Sequence, residues 1–318
     1  EAEFIMLNRG LADETLQVRF PLDPYNYMGA PKIENFRAFV NGVEAPITTV
    51  EEAFLDCPIQ DCPLVSWATF AATFPVQQQV VIRVTYNLIP RRVSSSFGTF
   101  NYILETGAGW YGVIGSATFV LRLPYKASPE NAIGRWAADP TPEYRYNEIR
   151  WYAESIEPTS RLNLGFSVIF PNAWRQVLGA QAKVNTAPTN ASNWADLGEA
   201  YVAVSERFHG KKDNKQLQQA IQAYVQSANL SPTVAETQAR LAELRWQLAL
   251  GHDEACYSTS PTLDYDVRPV LPTLSLALAL DESNARAQDL YSEIKACLGK
   301  DVALPVPNPR IMALVATP

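Results

Sequence analysis

The first half of the chain alternates apolar and polar residues over short segments, whereas the second half does not. Segments such as ETLQVRF, QVVIRVTYNL and ATFVLRLPY are rich in β-branched and aromatic residues and are bounded by Pro, Gly, Asn or Asp. This pattern is typical of strands with one buried face. About nine such segments, with no helical period between them, predict an antiparallel β-sandwich over residues 5–171. YRYNEIRWYAE is predicted as one strand, and Asn41-Gly42 predicts a tight hairpin.

Beyond residue 190 the apolar positions recur three and four apart. Trp194, Leu197 and Tyr201 therefore share one face of a predicted helix, and Gly198 on that helix permits close approach of a neighbour. A second helix carries Ala220 and Tyr224 and ends before Pro232, because proline cannot continue a helix. An insertion centred on HGKKDNK lengthens the turn between the two helices.

The spacings W-x2-L-G-x2-Y, from Trp194 to Tyr201, and A-x3-Y, followed by Pro232, resemble a tetratricopeptide repeat. The resemblance implies a helix–turn–helix unit, with a second unit around Leu241 and Ala242 in which Trp246 takes the aromatic role. The expected fold class is thus a β-sandwich followed by a TPR-like α-helical domain over residues 191–300. Residues 172–190 are predicted as a linker with a short helical segment at AWRQVLGAQ, and residues 301–318 as a proline-spaced tail.

The repeat resemblance also implies a binding surface. In such arrays the first helices of successive units line a concave face that holds a polypeptide segment. Register from Trp194 predicts that this face includes Glu199, Glu236, Glu243, Trp246, Gln247, Arg286, Asp289 and Glu293. Because the set is mostly acidic, the expected ligand is a neutral or basic protein or peptide. Trp246 is expected to be its exposed apolar anchor; the alternative is that Trp246 packs beneath the insertion that follows.

A second candidate surface lies in the β-rich half. The stretch from Glu105 to Tyr125, ETGAGWYGVIGSATFVLRLPY, resembles loops of uncharacterised β-rich domains of exported bacterial proteins. Trp110 and Tyr111, between glycines and near Glu105, form a candidate platform for a glycan, with Trp151 or Tyr152 as further candidates. The alternative is that these aromatic residues plug one end of the sandwich.

Net charge and cysteine content limit the partners and the cellular location that are expected. The net charge of −7 disfavours a nucleic-acid partner. No apolar run is long enough for a transmembrane helix, so no membrane insertion is expected. Four cysteines without a CxxC pair favour two disulfides, Cys57–Cys62 and Cys256–Cys297, over zinc ligation, with four buried thiols as the alternative. These features predict an extracellular or cell-surface protein. Glu1–Phe4 resemble a remnant of a yeast secretion leader and a cloning site, and are left out of the fold prediction.

Motifs for catalysis are scarce. The two histidines, His209 and His252, lie in polar segments away from any serine or cysteine nucleophile pattern, so a non-enzymatic protein is expected. Asp264 and Asp266 could offer oxygens to calcium, although their spacing lacks the regularity of an EF-hand loop. A glycoside hydrolase would need two facing carboxylates, and Glu105 is the one candidate that the sequence suggests.

Overall fold

The structure is a computed structural model, and it describes most of the 318-residue chain. The described residues are 1–22, 33–53, 64–88, 91–92, 96–102, 104, 107, 111–136, 141–157, 164–205, 215–250, 267–298 and 302–315. The chain divides into two compact units, Glu1–Val168 and Ile169–Pro318. The first unit consists of antiparallel strands and the second of helices, as the sequence predicts at this level.

The strands of the first unit are short and pair in four sheets. Their bounds are β1 Ala2–Leu7, β2 Glu14–Pro21, β3 Ile33–Val40, β4 Val43–Ala45, β5 Thr48–Ala53, β6 Leu64–Phe74, β7 Gln79–Leu88, β8 Arg91–Arg92, β9 Phe97–Tyr102, β10 Ile114–Arg122, β11 Ala132–Trp136, β12 Glu143–Arg145, β13 Glu148–Ile156 and β14 Leu164–Ile169. The sheet orders are β1-β7-β3-β4, β2-β6-β5, β10-β13-β12 and β11-β14-β9-β8.

The first two sheets share one hydrophobic cluster. Alternate residues of β6, including Phe70 and Phe74, are buried together with Ile82 and Val84 of β7. This is the period-two pattern that the sequence shows, and it puts one face of each sheet into the cluster. Phe20 of β2 packs against the same cluster.

The other two sheets share a second cluster. Trp151 of β13 and Leu164 of β14 lie at its centre. A Cβ atom added to Gly134 of β11 would lie 2.0 Å from the Trp151 ring, so the indole covers the position where a larger residue would have its side chain. The close approach of backbone and indole explains why a glycine occupies this strand position.

Two hairpins show which turn predictions succeed. Asn41 and Gly42 join β3 to β4 with φ angles of 49° and 83°, so the predicted tight hairpin is confirmed. The predicted single strand YRYNEIRWYAE is wrong, because Tyr146 and Asn147 turn the chain between Arg145 and Glu148. Tyr146 has a φ of 51°, a conformation that its residue type does not suggest.

Two further strands were not expected. Residues of β1 pair with β7 in the register Ala2↔Val84 to Leu7↔Gln79, so the residues set aside as a leader remnant take part in the first sheet. β11 pairs with β14, although its residues include Gly134, which weakens the strand pattern in the sequence.

The second unit has a helix at its start, in the stretch where a linker with a short helical segment at AWRQVLGAQ was predicted. Pro171–Thr186 is a 16-residue helix whose buried residues include Trp174, Val177 and Val184. The buried positions recur three and seven apart, which places them on one helix face. The helical segment predicted at AWRQVLGAQ is therefore part of a longer helix, which covers most of residues 172–190.

The described helices of this unit are α1 Pro171–Thr186, α2 Ala191–Ser205, α3 Lys215–Leu230, α4 Ala235–Leu250, α5 Leu271–Leu280, α6 Ala285–Leu298 and α7 Pro309–Val315. Consecutive helices from α1 to α6 pack on one another, and α4 also packs on α6. Among the described residues, no helix is long and apolar enough to cross a membrane.

The α2–α3 pair shows how sequence directs this packing. Leu197 and Tyr201 of α2 are buried, as are Ala220 and Tyr224 of α3. A Cβ atom added to Gly198 would lie 2.5 Å from the Tyr224 ring, so the absence of a side chain allows the two helices to approach. Trp194 is half-buried, and its indole nitrogen donates to the carbonyl of Pro188 at 2.8 Å.

The predicted tail contains both extended chain and a helix. Residues 302–308 form neither helix nor strand, and α7 follows them. Val302 and Leu304 pack against a hydrophobic cluster of α4, α5 and α6, so this part of the tail belongs to the helical unit.

Candidate functional site

Three helices of the second unit contribute charged side chains to one connected network. Glu199 lies on α2, Arg240 and Glu243 on α4, and Arg286 on α6. Glu236 begins the first turn of α4. We call these five residues the ion-pair face. Four of them were predicted binding residues from register alone, and the structure brings those four together.

Arg240 forms the centre of the ion-pair face. Its Nε and Nη2 atoms donate to the two carboxylate oxygens of Glu199 at 2.7 and 3.0 Å, and its Nη1 donates to Glu243 at 2.7 Å. The Tyr224 hydroxyl of α3 also donates to Glu199, at 2.6 Å. A planar guanidinium suits such two-pronged pairing, which fixes the relative position of α2 and α4.

Arg286 extends the network to α6. It donates to Glu236 at 2.8 Å and to Glu243. Asn284, just before α6, donates its amide to the other oxygen of Glu236 at 3.1 Å. Glu243 thus accepts from both arginines, and one unbroken path of hydrogen bonds joins α2, α4 and α6.

Protonation states follow from these contacts. Partial burial opposes ionisation of Glu199, but hydrogen bonds from Arg240 and Tyr224 outweigh it, so the pKa of Glu199 is lowered. Burial would lower the pKa of Arg240, yet its bonds to Glu199 and Glu243 hold that pKa above the usual value. Glu199 and Arg240 are therefore a charged pair at neutral pH.

The expected role of Trp246 is wrong. Its side chain is 1% exposed and lies in the cluster that includes Leu274, Leu290 and Ile294. Its indole nitrogen donates to Glu293 at 2.8 Å. Trp246 is therefore a core residue between α4, α5 and α6, and it is not an exposed apolar anchor for a polypeptide ligand.

The remaining predicted residues of the face are accessible. Gln247, Asp289 and Glu293 are exposed. Gln247 lies four residues after Glu243, and Asp289 lies three after Arg286, so each shares a helix side with a member of the ion-pair face. Asp289 and Glu293 add negative charge beside it.

Sequence reasoning missed Arg240, which donates three hydrogen bonds within the ion-pair face. Its side chain is 14% exposed. A signal was present, because Glu236 lies four residues before it and Glu243 three after it on the same helix. Register counted from Trp194 placed Glu236 and Glu243 on the predicted face but left out Arg240, which lies between them.

The β-rich candidate surface is described only in part. Tyr111 is 99% exposed and precedes Gly112, whose φ is 79°. Trp110 and Glu105 lie outside the described residues. Trp151 is buried in the second cluster and is unavailable to a glycan, which corrects that expectation, whereas Tyr152 is exposed on β13 and donates to Glu154.

Several other predicted residues also lie outside the described part of the chain: Cys57, Cys62, Cys256, Asp264, Asp266, His209 and His252. Cys297, near the end of α6, is the one cysteine among the described residues. The two disulfide pairings and the calcium site stay predictions. Within the described ranges, no group of three or more His, Cys, Asp or Glu residues could hold a metal ion.

Comparisons with known proteins give a distant structural similarity. No protein-family model matches the sequence, and a search of curated proteins finds no match. A solved structure from Legionella pneumophila, described as a "putative nutrient binding protein", is similar over 86% of this chain and 85% of its own, with 15% identity and a TM-score of 0.40.

Proposed function

We propose that this protein is a non-catalytic interaction module whose helical unit is TPR-like and binds a polypeptide at the ion-pair face. The observation that carries the proposal is the hydrogen-bonded path from Glu199 through Arg240, Glu243 and Arg286 to Glu236. It spans three helices and fixes charged groups at a partly exposed surface. Groups held in place before binding lose little conformational freedom when a ligand arrives.

The ligand that suits this face is a neutral or basic segment. Carboxylates outnumber guanidinium groups in the network, and the exposed Asp289 and Glu293 increase the negative charge. Glu199 and Glu236 are half-exposed, so each keeps oxygen lone pairs available beside its arginine. Electrostatic complementarity of this kind sets the choice of partner and the rate of association more than the affinity.

Two further parts of the proposal concern fold and setting. The β unit is proposed to be built as packed sandwiches, which is supported by the hydrophobic cluster that each pair of sheets shares. An extracellular or cell-surface location is also proposed. Four cysteines without a CxxC pair favour disulfides, and disulfides persist mainly in oxidising compartments.

The test is selection of peptides from a displayed random library on the full chain, followed by calorimetry with the enriched peptides. Basic peptides should be enriched, and their binding should weaken as salt is raised. Asp289→Lys should weaken binding about tenfold, because it reverses an exposed charge beside the face without removing a network hydrogen bond. Glu282→Lys makes the same charge change in the turn before α6 and is the matched control. Equal binding by wild type, Asp289→Lys and Glu282→Lys would contradict the proposal.

A glycan-binding β unit is the second candidate. It is favoured by the nearly complete exposure of Tyr111, since a large aromatic side chain held in water has no packing role there. A glycan array should then give signals with wild type that Tyr111→Ala abolishes, while Tyr146→Ala, at another exposed tyrosine, leaves them intact. An array without signals would remove this candidate.

A further inference from the structure

The extended residues 302–308, which we call the tail segment, lie against α5 and α6. Val302 and Leu304 are half-buried against the cluster that contains Leu274 and Ile294, whereas Val306 is 91% exposed. The segment therefore has one side that packs on the helices and one that faces solvent. Alternating contact of this kind is what a bound extended peptide shows.

Two side chains of the helices bond to the backbone of the tail segment. The Tyr291 hydroxyl donates to the carbonyl of Val302 at 2.7 Å, and the Ser275 hydroxyl donates to the carbonyl of Pro305 at 2.5 Å. The two acceptors are three residues apart, which is the repeat of a polyproline II helix. Ser275 is buried, so its hydroxyl needs an acceptor, and the tail segment supplies one.

The segment also has the sequence of a recognised peptide class. Pro305 and Pro307 lack backbone N–H donors, so in residues 305–307 Val306 alone has one, and Pro309 follows the segment directly. Proline-spaced segments of this type dock in grooves that have aromatic residues, because little conformational freedom is lost. Tyr291 supplies the aromatic ring, with the Lys295 ammonium 4.5 Å from its centre.

We propose that the surface formed by Ser275, Tyr291 and the adjoining apolar cluster, the tail groove, is a binding site for extended proline-spaced polypeptide segments. Residues 302–308 occupy it within the same chain, and a segment of similar sequence from a partner polypeptide can replace them. The site differs from the ion-pair face. Tyr291 lies five residues after Arg286 on α6, which places the two about 140° apart around the helix.

The experiment uses the full chain and a fluorescein-labelled peptide with the sequence of residues 302–309, VALPVPNP. Leu304→Asp places a carboxylate at a half-buried position and should release the tail segment, leaving the groove open. The peptide should then bind this variant at least about tenfold more tightly than wild type, measured by fluorescence anisotropy. Val306→Asp makes the same chemical change at the exposed position and should behave as wild type.

A variant peptide and a second substitution test whether the peptide binds in the tail groove itself. A labelled peptide with Asp in place of its leucine should not bind Leu304→Asp. Adding Ser275→Ala to Leu304→Asp should weaken peptide binding about three- to tenfold, because one hydrogen bond to the peptide carbonyl is lost. Val302→Asp is a second way to release the tail segment and replaces Leu304→Asp if that variant does not keep the wild-type circular dichroism spectrum. No gain of peptide binding in the released variant, or no effect of Ser275→Ala, would overturn the proposal.

Discussion

The Arg240 guanidinium donates two hydrogen bonds to the Glu199 carboxylate, at 2.7 and 3.0 Å, and thereby joins α4 to α2. Arg240→Ala should lower the free energy of unfolding by about 1–3 kcal/mol at pH 7, because Glu199 and Glu243 lose a largely buried partner. Urea unfolding measures the change. Arg310→Ala, at an exposed residue of α7, should change stability by less than about 0.5 kcal/mol.

The same pair predicts a pH dependence. The pKa of Glu199 is lowered in the folded protein, so its stabilising contribution is present above the unfolded value and is lost as the pH falls through the folded value. The stability difference between wild type and Arg240→Ala should therefore be constant near pH 7 and shrink below about pH 4. A difference that grows on acidification would show that Glu199 is not ionised and paired in the folded chain.

Gly198→Ala tests the contact between α2 and α3. The new methyl group would lie 2.5 and 2.6 Å from two atoms of the Tyr224 ring, so we expect a loss of about 1–3 kcal/mol despite the better helix propensity of alanine. Gly179→Ala in α1 meets no atom within 4 Å and should instead stabilise the chain by about 0.5–1 kcal/mol. Thermal unfolding of the two variants should therefore shift in opposite directions.

Substitution of Trp246 tests its assignment as a core residue of α4. Trp246→Ala should cost about 3–5 kcal/mol, since it removes a fully buried indole from the cluster with Leu274 and Ile294. Trp246→Phe keeps most of the apolar volume but loses the hydrogen bond to Glu293, so it should cost less than Trp246→Ala. Unchanged stability in Trp246→Ala would restore the exposed anchor that the sequence suggested.

Gly134→Ala tests the packing of the second pair of sheets. The added Cβ atom would lie 2.0 Å from the Trp151 ring, so the indole must move and the unfolding free energy should fall by about 1–3 kcal/mol. Gly115→Ala, in β10, has open space around it and serves as the control. Tryptophan near-UV circular dichroism should change in the first variant and not in the second.

Local patterns made much of the fold predictable. The helix face formed by Leu197, Gly198 and Tyr201 could be predicted because it depends on residue spacing within a single helix. Strand β7 was predicted with its observed bounds, since its apolar and polar residues alternate and turn residues flank it. In contrast, the turn at Tyr146 and Asn147 was missed because Tyr-Asn is not among the dipeptides that mark a two-residue hairpin, such as Asn-Gly.

The candidate site was less predictable, because it depends on partners far apart in sequence. The register placed Glu199, Glu236, Glu243 and Arg286 on one surface, but pairing of Arg240 with Glu199 spans 41 residues and cannot be read from one helix. Trp246 was misassigned for the same reason. The residues that bury it come from α5 and α6, and nothing within α4 indicates on which side they lie.

The two larger hydrophobic clusters of the β unit have no residue in common among those described, one being built from residues 2–86 and the other from residues 100–168. They come close at Tyr86 and Tyr102, where burial, with a smaller contribution from Tyr86, raises the pKa of Tyr102. A unit unfolds in a single cooperative transition when its parts share one hydrophobic interior. These two clusters share little of theirs. A calorimetric scan of this unit is therefore expected to resolve two overlapping transitions, with Gly134→Ala shifting one and leaving the other in place.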